Sequence, residues 1–141
     1  MMNKILIDSD AILDFFFNRE PFAEDVAGVL PLCEKKEIAG YVTPVIVSNV
    51  YYLLRQTAPQ EDVIKKLTLL ISIVEVSHID KNTILQALTS EFRDFEDALQ
   101  HFSAVSNGLI DVIVTRNLKD YKHSTLLVMT PENYLKTRLV G

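Results

Sequence analysis

The run from Leu109 to Thr115 constrains the fold most, because its composition is that of a strand buried on both faces. The segment from Lys4 to Asp8 predicts a second buried strand, apolar until it ends in a carboxylate. Three further short strands are predicted, at Tyr41 to Thr43, Ile73 to Val76 and Thr125 to Met129. Helical patterns separate these strands, and the alternation predicts a three-layer α/β/α sandwich with a central parallel sheet.

Two Thr-Pro pairs indicate helix starts, since threonine caps a helix and proline suits its first position. Thr43-Pro44 opens a helix that is apolar almost all round, and Thr130-Pro131 opens the last helix. Other helices are predicted over residues 11–17, 21–37, 59–71, 80–91 and 94–108. Within the second of these, Gly28 and Pro31 predict a kink or break, and Gly40 is expected to end it.

The composition predicts a single domain over residues 1–141, since 48% hydrophobic residues can bury one sizeable core. No apolar stretch has the length of a signal peptide core or a membrane span, so a cytoplasmic protein is expected. The one cysteine, Cys33, lies in an apolar pattern and is interpreted as a packing residue. A net charge of −5 argues against a protein that coats nucleic acid, and four scattered glycines argue against a phosphate-binding loop.

Acidic side chains follow two predicted strands and begin one predicted helix. Asp8 ends the first strand, Asp94 and Asp97 lie in the first turn of the helix over residues 94–108, and Asp120 with Asn117 follows the strand that ends at Thr115. Carboxyl ends of parallel strands and amino ends of the intervening helices lie on the same edge of a sheet. These acids are therefore expected to meet.

Such a meeting has a predictable electrostatic cost. Two carboxylates ~5 Å apart repel by roughly 3 kcal/mol at an effective dielectric constant of ~20, so either one protonates or a cation binds. With oxygen ligands and no His or Cys set, the expected ion is Mg²⁺ or Mn²⁺. Because such an ion can bridge a phosphate and activate a water, the pattern predicts metal-assisted phosphodiester hydrolysis.

Five motifs, in this order and spacing, resemble the PIN-domain family. They are Leu6 to Asp14, Arg19 to Phe22, Val42 to Arg55, Asp94 to Ala98 and Thr115 to Tyr121. The resemblance spans almost the whole chain and is closest to the small prokaryotic stand-alone PIN proteins that act as VapC-like toxins. It implies a PIN-like fold, a Mg²⁺- or Mn²⁺-dependent endoribonuclease, and an antitoxin protein as a possible partner.

The resemblance also implies roles for individual acids. Asp8 matches the first-strand aspartate of the family and Asp97 the aspartate near the start of the late helix, so both are expected to hold a metal ion. Asp94 is expected as an accessory metal ligand. Asp120 is the nearest acid to the place where the family often has a further aspartate, and we include it among the expected catalytic residues.

Four residues are expected to contact the substrate. Asn49 and Asn117 occupy places where the family usually has carboxylates, and they would orient water or phosphate. Thr115 and Arg116 are expected to contact the scissile phosphate, and a basic cluster of Lys119, Lys122 and His123 follows them. Three other acids, Asp10, Asp14 and Asp111, are interpreted as capping or surface residues.

Two alternative functions remain open. The two amides lower the negative charge of the expected site, so the chain could be a catalytically weakened PIN fold that binds RNA or protein. The segment Asp8 to Leu13 also resembles the nucleophile loop of haloacid-dehalogenase phosphatases, although no convincing lysine for that family is present. Separately, the apolar residues of 45–54 and of Phe15 to Phe17 exceed what one core obviously absorbs, which predicts a homodimer.

Overall fold

Five short strands form one parallel sheet in the computed structural model, which describes residues 2–140. They are β1 (Lys4–Ile7), β2 (Ala39–Val42), β3 (Glu75–Val76), β4 (Val112–Val114) and β5 (Leu127–Met129). Their order across the sheet is β3-β2-β1-β4-β5. Leu6 of β1 lies beside Tyr41 of β2 on one side and Ile113 of β4 on the other. The predicted parallel sheet is therefore confirmed.

Seven helices alternate with the strands among the described residues: α1 (Ser9–Phe16), α2 (Phe22–Glu34), α3 (Pro44–Arg55), α4 (Gln60–Ile73), α5 (Lys81–Leu88), α6 (Phe95–Asn107) and α7 (Pro131–Val140). A 3-10 turn at Leu118–Tyr121 follows β4. The main helix contacts join α1, α2, α3, α4 and α7 in one group and α5 with α6 in another. The fold is the expected α/β/α sandwich. No helix in the described range is long and apolar enough to cross a membrane.

The predicted break in the second helix is wrong. α2 continues through Gly28 and Pro31 and ends at Glu34. Pro31 has no N–H to donate to the Ala27 carbonyl one turn earlier. Both residues are exposed, so water can satisfy this carbonyl. Gly40 does not end the helix either. It lies inside β2, where a Cβ atom would come within 2.6 Å of the Cys33 sulfur, so the glycine permits close helix–strand packing.

Other local predictions hold. The Thr43 hydroxyl caps α3 by accepting a hydrogen bond from the Ile46 N–H at 3.1 Å. Gly108 ends α6 with φ +74°, in the left-handed region that favours glycine. Cys33 is buried and unpaired, as its apolar pattern indicates. β4 is shorter than its apolar run, because Leu109 and Asp111 are exposed in the turn before it.

The strand order places a crevice beside the central strand. From β1 the chain passes to β2 and β3 on one side, and then crosses to β4 and β5 on the other. The direction of winding therefore reverses between the carboxyl ends of β1 and β4. Open α/β sheets bind ligands at this kind of position.

Candidate active site

The Asp8 carboxylate lies in this crevice and is held by three donors. Asp8 follows β1 and caps α1, with Oδ1 accepting from the Ser9 N–H at 2.8 Å. Its Oδ2 accepts from the Thr115 hydroxyl at 3.0 Å and from the Tyr121 hydroxyl at 3.1 Å. Only 4% of the residue is exposed. Each donor comes from a different segment, so the orientation of Asp8 depends on the tertiary fold.

Thr115, at the end of β4, connects two carboxylates. Besides Asp8, its hydroxyl lies 3.2 Å from Asp10 Oδ2, which also accepts from the Arg116 N–H at 3.0 Å. The same hydroxyl oxygen accepts from the Asn117 N–H at 3.1 Å. The interpretation of Asp10 as a capping or surface acid is therefore wrong, because this half-buried carboxylate holds the turn after β4.

Three further carboxylates approach from the start of α6 and from the 3-10 turn. Asp94 caps α6, its Oδ1 accepting from the Asp97 N–H at 3.1 Å. Burial and the neighbouring charges of Asp8, Asp94 and Asp120 raise the pKa of Asp97 to about 8, although a hydrogen bond from Tyr121 acts in the opposite direction. The structure thus brings three of the predicted acids, Asp8, Asp94 and Asp120, near the half-buried carboxyl of the fourth, Asp97.

The pKa of the Asp8 carboxyl is also raised. Burial, followed by the charge of Asp10, raises the pKa of Asp8 to about 6, against the opposing hydrogen bonds from Ser9, Thr115 and Tyr121. Burial also raises the pKa of Asp10. The pKa of Tyr121 is raised by burial and by the nearby acids, so its hydroxyl stays protonated and acts as a donor.

Arg116 does not point its charge freely into the crevice. Its guanidinium binds the Asp14 carboxylate through two hydrogen bonds, one from Nε and one from Nη2 at 2.9 Å. The guanidinium also stacks 4.1 Å from the centre of the Phe22 ring. Asp14 is fully buried, so its interpretation as a surface acid is wrong, and contact between Arg116 and phosphate would require this ion pair to open.

The two asparagine side chains of the expected site lie on α3 and on the turn after β4. Asn49, on α3, donates from Nδ2 to Glu96 Oε2 at 2.7 Å. Asn117 is exposed on the turn after β4. The third acid interpreted as capping or surface, Asp111, is exposed at the opposite edge of the sheet, where its Oδ2 accepts from the Lys4 N–H at 3.3 Å.

The donor set fits a hard divalent cation. All the charges that raise the pKa of Asp97 are carboxylates, and carboxylate oxygen is the preferred ligand of Mg²⁺ and Mn²⁺. Within residues 2–140, no three His, Cys, Asp or Glu side chains are grouped closely enough to hold a metal ion. A Mg²⁺ ion does not need such a group, because proteins usually bind it through one or two carboxylates while it keeps several waters.

Sequence reasoning gave three of these residues no role in the expected metal site. Tyr121 donates to Asp8, Asp10 accepts from the turn after β4, and Glu96 binds Asn49 across two helices. The Asp-x-Asp spacing after an apolar strand was a usable signal for Asp10. Nothing local could indicate Tyr121, because its sequence neighbours are charged and a tyrosine in a polar turn is ordinarily expected at the surface.

A family model described as PIN domain matches residues 4–119. No curated protein sequence matches the chain significantly.

Three solved structures share the fold at low sequence identity. A toxin–antitoxin complex from Klebsiella pneumoniae has a TM-score of 0.67 and 17% identity, covering 90% of this chain and 97% of its own. VapBC2 from Rickettsia felis, bound to a promoter DNA fragment, has a TM-score of 0.63 and 14% identity over 89% and 96% of the two chains. Mycobacterium tuberculosis VapC20, a sarcin-ricin loop cleaving toxin, has a TM-score of 0.59 and 16% identity over 77% and 86%.

Proposed function

Because the chain belongs to the PIN-domain family, we propose that it is a Mg²⁺- or Mn²⁺-dependent endoribonuclease and the toxin of a toxin–antitoxin pair. Its fold is shared with VapC20, which cleaves the sarcin-ricin loop, and with chains from toxin–antitoxin complexes. The family match leaves the phosphatase alternative without support.

One observation carries the proposal. Burial and three neighbouring carboxylates raise the pKa of Asp97 to about 8, at the switch point of a parallel sheet. A group of acids that destabilises itself near neutral pH either takes up a proton or binds a cation, so a divalent ion would be favoured at this position. Perturbed carboxyls in a crevice are also characteristic of active sites.

The residues would divide the work as follows. Asp8 and Asp97 would hold the ion directly, and Asp94 and Asp120 would contact it through water. When bound, the ion would bridge the phosphate and lower the pKa of the attacking water. The Thr115 and Tyr121 hydroxyls orient the Asp8 carboxylate. The side-chain amides of Asn117, on the turn after β4, and of Asn49, on α3, would orient water or phosphate.

The test combines metal binding with cleavage. Mn²⁺ is titrated calorimetrically into the wild type, Asp97→Asn and the control Asp111→Asn, and each protein is then incubated with a mixed RNA substrate. Asp111 is an exposed aspartate at the opposite edge of the sheet, so the control makes the same chemical change outside the site. We expect the wild type and the control to bind and cleave, and Asp97→Asn to lose both activities.

The other outcomes decide between the alternatives. Metal binding without cleavage of any RNA would favour the weakened PIN fold that acts as a binding module. Absence of metal binding at millimolar Mn²⁺ in the wild type would refute the proposed metal site. Cleavage that persists in Asp97→Asn would refute the assigned role of Asp97.

We also propose a cytoplasmic homodimer with an antitoxin that covers the acidic crevice. Apolar side chains are exposed on α3 and α4, including Tyr52 at 68% and Leu69 at 65%. Light scattering after size exclusion should show a dimer for the wild type and a monomer for Tyr52→Glu. Leu139→Glu, at an exposed apolar residue of α7, is the matched control and should remain dimeric. A monomeric wild type at micromolar concentration would refute the dimer.

A further inference from the structure

A groove of about 460 Å³ lies beside the acidic cluster, and three cations, two acids and a histidine line it. Two segments distant in sequence form it, one just before α6 and the other through the 3-10 turn after β4. Its lining residues are Glu91, Arg93, Lys119, Asp120, Lys122 and His123. We call it the basic groove.

The basic groove adjoins the proposed catalytic centre through a shared residue. Asp120 lines the groove, and its charge also raises the pKa of Asp97. The basic groove and the acidic cluster therefore meet at Asp120. Glu91 faces His123 at 3.7 Å, which leaves Arg93, Lys119 and Lys122 as the permanently charged cations of the lining.

Charge determines which ligand this groove suits. The whole chain carries a net charge of −5, and the crevice concentrates acids, so a polyanion approaching the centre is repelled over most of its path. In the lining of the basic groove, by contrast, the three cations Arg93, Lys119 and Lys122 outnumber the two acids. Exposed lysines act as point charges for phosphate and carry no base specificity.

We propose that the basic groove binds the phosphate backbone of single-stranded RNA next to the scissile bond, through Arg93, Lys119 and Lys122. The inference rests on the proposed function, because it assigns the path of that enzyme's substrate. Each phosphate of a single-stranded nucleic acid that the protein neutralises contributes about −0.7 to the slope of log K against log salt. Loss of two lysines should therefore reduce the magnitude of the slope by about 1.4.

The experiment measures RNA binding separately from cleavage. Asp97→Asn serves as the background, in EDTA, with a fluorescent 20-nucleotide RNA of mixed sequence and anisotropy recorded across a range of KCl concentrations. Lys119→Gln/Lys122→Gln is compared with Lys35→Gln/Lys36→Gln. The control pair is exposed, follows α2 at the opposite edge of the sheet and removes the same two charges.

We expect roughly tenfold weaker binding and a slope reduced by about 1.4 for the groove pair, with the control pair unchanged. All four lysines are exposed, and unchanged melting temperatures would show that the fold is intact. Equal loss in both pairs would indicate a general charge effect and overturn the inference. RNA binding that is unaffected in the groove pair, or absent from the background protein, would also overturn it.

Cleavage by the corresponding variants with Asp97 intact separates this inference from the proposed function. If the wild type cleaves RNA and the groove pair cleaves it with the same KM, the function stands and the groove assignment fails. If no form cleaves RNA but binding still depends on the groove pair, the groove assignment stands and the nuclease proposal fails.

Discussion

Replacing Asp8 by asparagine should stabilise the metal-free protein near neutral pH while abolishing its response to metal. The substitution preserves the shape of the side chain and removes the charge of a residue of which only 4% is exposed. The amide oxygen can still accept from the Ser9 N–H. The new NH₂ group would face the Thr115 and Tyr121 hydroxyls, which must rotate to accept.

The magnitude follows from the pKa of Asp8, which folding raises from 3.8 to about 6. Below about pH 3 the carboxyl is largely protonated in both the folded and the unfolded state and has almost no effect on stability. As pH rises from about 3 to 6, the Asp8 carboxyl ionises first in the unfolded state. The folded state therefore loses stability until its own carboxyl ionises near pH 6. Above that pH the loss is constant at about 3 kcal/mol, since each pKa unit is worth about 1.4 kcal/mol.

The prediction concerns the pH dependence, because the rotation of the two hydroxyls adds a cost that is the same at every pH. Between pH 3 and pH 8, the free energy of unfolding of Asp8→Asn should gain about 3 kcal/mol relative to the wild type. In a chain of this length that corresponds to roughly 6–12 °C in melting temperature. Removing the Asp8 charge also relieves Asp97, which acts in the same direction.

The assay is urea unfolding in EDTA at several pH values, followed by thermal unfolding at pH 8 with and without millimolar Mn²⁺. The wild type should gain about 2.7 kcal/mol when Mn²⁺ exceeds its Kd a hundredfold, and Asp8→Asn should gain little. Asp111→Asn should follow the wild type in both measurements. Parallel pH profiles for Asp8→Asn and the wild type would refute the reasoning, because Asp8 would then carry no electrostatic penalty.

Three further perturbations test separate parts of the structure. Tyr121→Phe removes a donor to Asp8 Oδ2, so it should raise the pKa of Asp8 and lower the free energy of unfolding at pH 8 by about 1–2 kcal/mol; an NMR titration of the carboxyl that gave the wild-type pKa would contradict this. Arg116→Met leaves the buried Asp14 carboxylate without its main partner and should cost about 3 kcal/mol in urea unfolding, whereas a loss below 1 kcal/mol would show that the pair is weak. Gly108→Ala should cost about 1 kcal/mol through its φ of +74° alone, since a Cβ there meets nothing within 4 Å; Lys65→Ala, at an exposed position inside α4, is the control and should change little.

The fold was predictable from the sequence because its signals are local. Apolar runs such as Ile5 to Ile7 indicate buried strands, and the cap at Thr43 and the left-handed glycine at Gly108 act within one helical turn. The break predicted at Pro31 failed for a tertiary reason, since an exposed helix surface tolerates the missing hydrogen bond. The position of Gly40 depends on Cys33, seven residues away, whose sulfur occupies the space that a side chain would need.

The site was only partly predictable. The order of strands and helices places acids at one edge of a parallel sheet, so the approach of Asp8 to Asp97 follows from topology. Nothing in the sequence indicates that Asp14 is buried against Arg116, or that Tyr121 donates to Asp8 from 113 residues away. Such contacts depend on side-chain packing between elements that no local pattern connects.

The sequence by itself determined the class of fold, the edge of the sheet at which the acids gather and the kind of cation their oxygens prefer, because periodicity, capping and ligand chemistry act through neighbouring residues. The tertiary structure decided which acids are stressed and which are neutralised. Asp8 is buried and Asp97 half-buried among like charges, whereas Asp14 is buried against a guanidinium. Burial and the sign of the nearest charge control a carboxyl pKa, and both arise only when distant segments pack together.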